Sequence, residues 1–87
     1  MQKLIAHRLY TEDINRQTIT DILAKHLPAF TLLSGVGIWK GEAENSLIIE
    51  VIGGTFAVVA EVAKAIKEAN KQETVMYTAH EVKTRLF

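Results

Sequence analysis

Ser46-Leu47-Ile48-Ile49-Glu50-Val51-Ile52-Gly53-Gly54-Thr55 is the stretch that decides the fold. Seven residues rich in β-branched and apolar types run without a helical period, which suits a strand at the centre of a sheet. Leu47, Ile49 and Val51 share one face; Ile48, Glu50 and Ile52 share the other. Gly53-Gly54 then breaks the strand, and Thr55 stands where a helix N-cap belongs. A strand that ends in a two-glycine turn and a capped helix is half of a strand–helix unit. The rest of the chain supplies its partners.

Upstream, Phe30 to Trp39 predicts a second strand. Phe30, Leu32, Val36 and Ile38 lie on one face, and Leu33, Gly35, Gly37 and Trp39 on the other. Lys40-Gly41-Glu42-Ala43-Glu44-Asn45 is a polar connection of hairpin length joining it to Ser46. Leu4 to Tyr10 predicts the first strand, with Ile5, His7 and Leu9 opposed to Leu4, Ala6, Arg8 and Tyr10. Both faces carry apolar residues, so the strand belongs inside the sheet.

Two helices flank the hairpin. The first starts at Asn15, an N-cap type. It runs on an apolar stripe of Ile19, Ile22, Leu23 and Leu27, and stops before Pro28. The second extends from Thr55 to about Asn70, which is suited to a left-handed C-terminal position. Phe56, Val59, Ala63 and Ile66 form one stripe, Val58, Val62, Ala65 and Ala69 another. Glu73 to about Val82 is the last strand, with Val75, Tyr77 and Ala79 on one face.

The order β-α-β-β-α-β predicts an α+β, ferredoxin-like domain over residues 1–87, with a four-stranded antiparallel sheet and both helices on one face. The opposite face then carries Leu33, Gly35, Gly37, Trp39, Ile48, Glu50 and Ile52. An open sheet face this apolar marks an interaction surface. On a domain of 87 residues it predicts a homo-oligomer, at least a dimer, or a ligand slot floored by the glycines and walled by Trp39.

Composition narrows the function. Ten basic residues balance ten acidic ones, which disfavours nucleic acid, because phosphate neutralisation dominates that affinity. The chain has no cysteine, so disulfides, zinc–thiolate sites and thiol nucleophiles are excluded. His7, His26 and His80 lack metal-ligand spacing, and the chain is expected to need neither metal nor cofactor. No apolar run is long enough to cross a membrane, and the composition fits the cytoplasm. Gly53-Gly54-Thr55 lacks the lysine of a phosphate-binding loop and is a tight turn with a cap. Glu42, Glu44 and Glu50 are carboxylates near the hairpin, ordinarily solvated. No serine elbow or triad order is present, and the central strands lack the aromatic residues of an RNA-recognition domain.

Three stretches resemble a group of small bacteriophage-encoded ferredoxin-like accessory proteins. They are Leu9-Tyr10-Thr11-Glu12-Asp13-Ile14-Asn15-Arg16, Gly37-Ile38-Trp39-Lys40-Gly41-Glu42-Ala43-Glu44-Asn45-Ser46-Leu47-Ile48-Ile49-Glu50, and Ile66-Lys67-Glu68-Ala69-Asn70-Lys71-Gln72-Glu73-Thr74-Val75. The resemblance implies a role in phage counter-defence, in the host cytoplasm. Two forms are open: sequestering a small anionic ligand such as a cyclic-nucleotide immune signal, or inhibiting a host protein.

Tyr10, Arg16, Trp39, Lys40, Glu44, Glu50 and Gln72 are the candidate ligand-binding residues. A base stacks on an indole or phenol ring, and Arg or Lys meets a phosphate. Glu12, Asn15 and Asn70 belong to the same strand ends, where turn and cap roles account for them. The non-enzymatic binding protein has an enzyme-class alternative, a dimeric α+β barrel of monooxygenase or isomerase type. Its candidate residues are His80, Tyr77 and Trp39.

Overall fold

A computed structural model describes residues 1–87. Its elements are β1 (Gln2–Glu12), α1 (Arg16–His26), β2 (Thr31–Trp39), β3 (Glu42–Ile52), α2 (Phe56–Ala69) and β4 (Met76–Thr84). They form one antiparallel sheet of order β2-β3-β1-β4. This is the β-α-β-β-α-β ferredoxin-like fold. No helix is long and apolar enough to cross a membrane.

The alternation of apolar residues along the strands sets the two faces. Leu47, Ile49 and Val51 of β3 and Leu9 of β1 turn toward the helices, where they meet Ile19 and Leu23 of α1 and Val59, Val62 and Ile66 of α2. These nine side chains are the buried core. His7 is buried on the same face, with Nδ1 2.5 Å from the Tyr77 hydroxyl. Its Nε2 has no partner. Phe56 stays exposed at the start of α2 and meets the Tyr77 ring edge-on at 5.2 Å.

Four local expectations are corrected. The β2–β3 connection is two residues, not six. Lys40 (φ 51°) and Gly41 (φ 80°) both take left-handed geometry, and β3 already begins at Glu42. Positive φ at both central residues matches the twist of the flanking strands, so polar Glu42–Asn45 can pair as strand. Asn15 occupies the N-cap position of α1 with φ 52°, but its side chain caps no helix N–H. The left-handed residue after α2 is Lys71 (φ 52°), not Asn70. β4 begins at Met76 rather than Glu73. Thr55 does cap α2, accepting from the Val58 N–H at 3.4 Å behind left-handed Gly53 and Gly54.

The hairpin reaches beyond the rest of the sheet. The pairing of β3 with β1 ends at Ser46 opposite Glu12, whereas its pairing with β2 continues to Trp39 opposite Glu42. The molecule is accordingly elongated, 40 × 27 × 21 Å.

Candidate functional site

The overhanging hairpin makes a recess. β2 and β4 are opposite edges of the sheet, yet Lys40 at the hairpin tip meets Glu73 of the α2–β4 connection at 3.0 Å. The hairpin therefore curls across the end of the sheet. Between it and the segment Asn70–Thr74 lies a hollow of about 560 Å³. That volume is within the roughly 300–1,000 Å³ of small-molecule pockets.

The walls come from the ends of all four strands, Met76 being the contribution of β4. Tyr10 and Glu12 of β1, Gly37 and Trp39 of β2, and Glu44 and Ser46 of β3 all line it. Directly opposed residues of antiparallel strands share a face. Gly37 opposes Glu44, and Ser46 opposes both Gly35 and Glu12, so this set belongs to the helix-free face. A Cβ built on Gly37 would already touch Ser46 at 3.5 Å. The bare backbone there keeps the floor low beside the indole.

The far wall is held by buried polar bonds. Gln72 Nε2 donates to Thr11 Oγ1 at 2.6 Å. Asn70 Nδ2 donates to the Ile14 carbonyl at 3.2 Å, and Asn70 Oδ1 accepts from Asn15 Nδ2 at 3.0 Å. Thr11 and Asn70 are buried, so these bonds form away from water and fix the segment. The side chain of Asn15 thus ties α1 to the end of α2.

Of the seven candidate ligand residues, Tyr10, Trp39, Glu44 and Gln72 line the recess. Lys40 is at its mouth, paired with Glu73 and with Nζ 5.9 Å from the centre of the Trp39 ring. Arg16 and Glu50 lie outside it. Arg16 is at the start of α1, bound to Asp13 and to the Ser34 hydroxyl, and its hydrogen bond holds the Asp13 carboxyl below the usual aspartate range. Glu50 accepts from Arg8 Nε at 2.8 Å in the middle of the helix-free face, and this bond raises the Arg8 pKa further. Both were selected for residue type; each is spent on a neighbour across or along the chain.

Tyr77, His80 and Trp39 do not meet within the chain. Tyr77 opposes Leu9 on the helix side, His80 opposes Ala6 on the other side, and Trp39 is on the distant edge strand. No three His, Asp or Glu side chains are grouped to hold a metal. Sequence reasoning missed Thr11, Ile38, Ser46, Lys71, Glu73, Thr74 and Met76 of the lining. Ser46 had a signal, since it continues the alternation of Glu44. Lys71, Glu73 and Thr74 became visible only when the α2–β4 connection folded over the sheet end.

No family model matches the chain, and no curated protein matches it in sequence. Solved structures do share its fold. A DUF3240 family protein from Shewanella baltica OS155 superposes with a TM-score of 0.71 at 17% identity, covering 100% of this chain and 98% of that one. CPII, a nitrogen regulatory PII-like protein from Thiomonas intermedia K12 bound to ADP, AMP and bicarbonate, gives 0.69 at 12% identity over 99% and 98%. A phage SAM lyase in complex with S-methyl-5′-thioadenosine gives 0.63 at 22% identity over 90% and 81%. At these identities the likeness establishes a common fold.

Proposed function

We propose that this chain is a homo-oligomeric binding protein that takes an adenosine-containing small molecule in the recess at the hairpin end and holds it without turning it over. The observation that carries this is the recess itself: an indole and a phenol ring beside a glycine floor, with hydroxyl, amide and carboxylate groups around them. A purine stacks on such rings, and polar groups of this kind read its edge and the ribose hydroxyls. Two proteins of this fold, one bound to ADP and AMP and the other to S-methyl-5′-thioadenosine, support an adenosine class.

Oligomerisation is supported by the helix-free face. Leu33, Trp39, Ile52 and Met76 are exposed there around the Arg8–Glu50 pair. Within the phage setting that the sequence resemblance implies, retention of such a molecule removes a host signal. Inhibition of a host protein through the same face is the competing form. A second reading, turnover of the ligand, is favoured by one observation, the similarity to a lyase.

Trp39 is the only tryptophan, so its fluorescence reports directly on the recess. Titration with S-methyl-5′-thioadenosine and AMP is expected to change its emission saturably, and the ligand is expected to be recovered unchanged after heat denaturation. A new product in the recovered fraction would establish turnover instead. By calorimetry, Trp39→Ala is expected to lose binding while costing less stability than the roughly 3–5 kcal/mol of a core Trp. Sedimentation at micromolar concentration is expected to give a species heavier than the 9.7 kDa chain; a monomer alone overturns the oligomer.

A further inference from the structure

The electrostatics of the recess carry a narrower conclusion, which rests on the adenosine reading above. Glu12 and Glu44 both line the hollow and both face its interior side of the sheet. Neither takes part in an ion pair; the four pairs of the molecule are Lys3–Glu81, Arg8–Glu50, Arg16–Asp13 and Lys40–Glu73. Both carboxylates are half-buried, where a charge is less screened than on an open surface. Glu12 opposes Ser46, two residues from Glu44 along β3, so the two are diagonal neighbours, about 7–8 Å apart by sheet geometry.

The other charges do not offset them in favour of an anion. Lys40 is already engaged by Glu73 and stands over the Trp39 ring. Lys71 is exposed and also belongs to the lysine-rich outer surface of α2 with Lys64 and Lys67. The lining contains no arginine. The helix end that reaches the recess is the C-terminus of α2, at Asn70 and Lys71, and this end of a helix carries partial negative charge. Phosphate sites use the opposite end. The Trp39 ring face, already occupied by an ammonium, is itself attractive to cations.

We infer that the recess selects adenosine derivatives whose 5′ substituent is neutral or positively charged, such as a thioether or a sulfonium, over 5′-phosphates. Glu44 and Glu12 supply the selection by facing the substituent, while Trp39 and Tyr10 take the base. Lys40 serves as the internal cation that a ligand cation displaces from the ring. This departs from the small anionic ligand expected from the sequence and puts a neutral or cationic adenosine in its place.

The test is a competition on one protein sample. Trp39 fluorescence is titrated with S-adenosylmethionine, S-methyl-5′-thioadenosine, AMP and ADP at fixed ionic strength. The sulfonium and the thioether are expected to bind at least tenfold more tightly than either phosphate. Glu44→Gln and Glu12→Gln are expected to weaken the sulfonium severalfold more than the neutral thioether, a split between two ligands of the same base and ribose that a merely structural role would not produce. Tighter binding of AMP or ADP, or an unchanged ratio in both variants, overturns the charge selection and leaves the adenosine site standing. Absence of binding by all four compounds at millimolar concentration overturns the adenosine reading itself, and this inference with it.

Discussion

Leu32 and Ile38 lie on the same face of the same strand, and their surroundings differ completely. Leu32 packs against the core opposite Ile49. Ile38 is 69% exposed and Val36 75%, although each continues the same alternation. The difference is the length of the helix layer. α1 and α2 cover the part of the sheet where all strands pair, and the β2–β3 hairpin runs past it. Alternation tells which side of the sheet a residue occupies; it does not tell whether anything stands on that side. The covered end is a core, and the overhanging end borders the recess.

The largest expected effect separates the two ends directly. Ile49→Ala deletes methyl groups from a side chain with no exposed surface and is expected to cost about 2–5 kcal/mol in denaturant unfolding. Ile38→Ala is expected to stay within about 0.5 kcal/mol. Equal losses, measured at the same protein concentration, would break the comparison and show that a second copy covers the hairpin. An intermediate effect sharpens it. Asn70→Ala removes two hydrogen bonds, to Ile14 and Asn15; both residues are exposed and can turn to water, and about 0.5–1.5 kcal/mol is expected. The same variant should lose adenosine binding through displacement of Gln72. Retention of full affinity would show that the Asn70 network serves stability alone.

The smallest effect is a pH dependence. Arg16 holds the folded Asp13 carboxyl below its ordinary pKa, so the pair contributes fully above the unfolded aspartate value. The contribution disappears as pH falls through the lowered folded value. Melting curves of the protein and Asp13→Asn should differ slightly near neutrality and converge in acid. A constant gap across that window would show that the carboxylate charge is not what stabilises the start of α1.

The element order was legible because the signals were strong: β-branched and apolar runs in β2 and in residues 47–52 of β3, and the Ile19, Leu23 and Val59, Val62, Ile66 spacing in the helices. Boundaries failed where polar composition and backbone geometry disagreed. Glu42–Asn45 looks like a loop by residue type, but strand pairing needs only extended backbone, and the Lys40-Gly41 turn sets the register. Asn15 and Asn70 were recognised as residues for helix ends. That their side chains bond to each other is a relation between positions 55 apart in the chain.

Tyr10, Trp39, Glu44 and Gln72, which line the recess, stand out in the sequence because aromatic and polar groups at strand ends lie where a sheet opens to solvent. Arg16 and Glu50 look equivalent in the sequence, but they lie outside the recess, paired with Asp13 and Arg8. By itself the sequence determined the faces of the strands, the stripes of the helices and the fold, because these depend on neighbours within a few residues. Only the tertiary structure decided that the hairpin outruns the helices, that Lys40 reaches Glu73, and that two unpaired carboxylates, an indole and the negative end of α2 surround one hollow. Those are relations between segments far apart in the chain, fixed by strand register and by where a connection crosses the sheet.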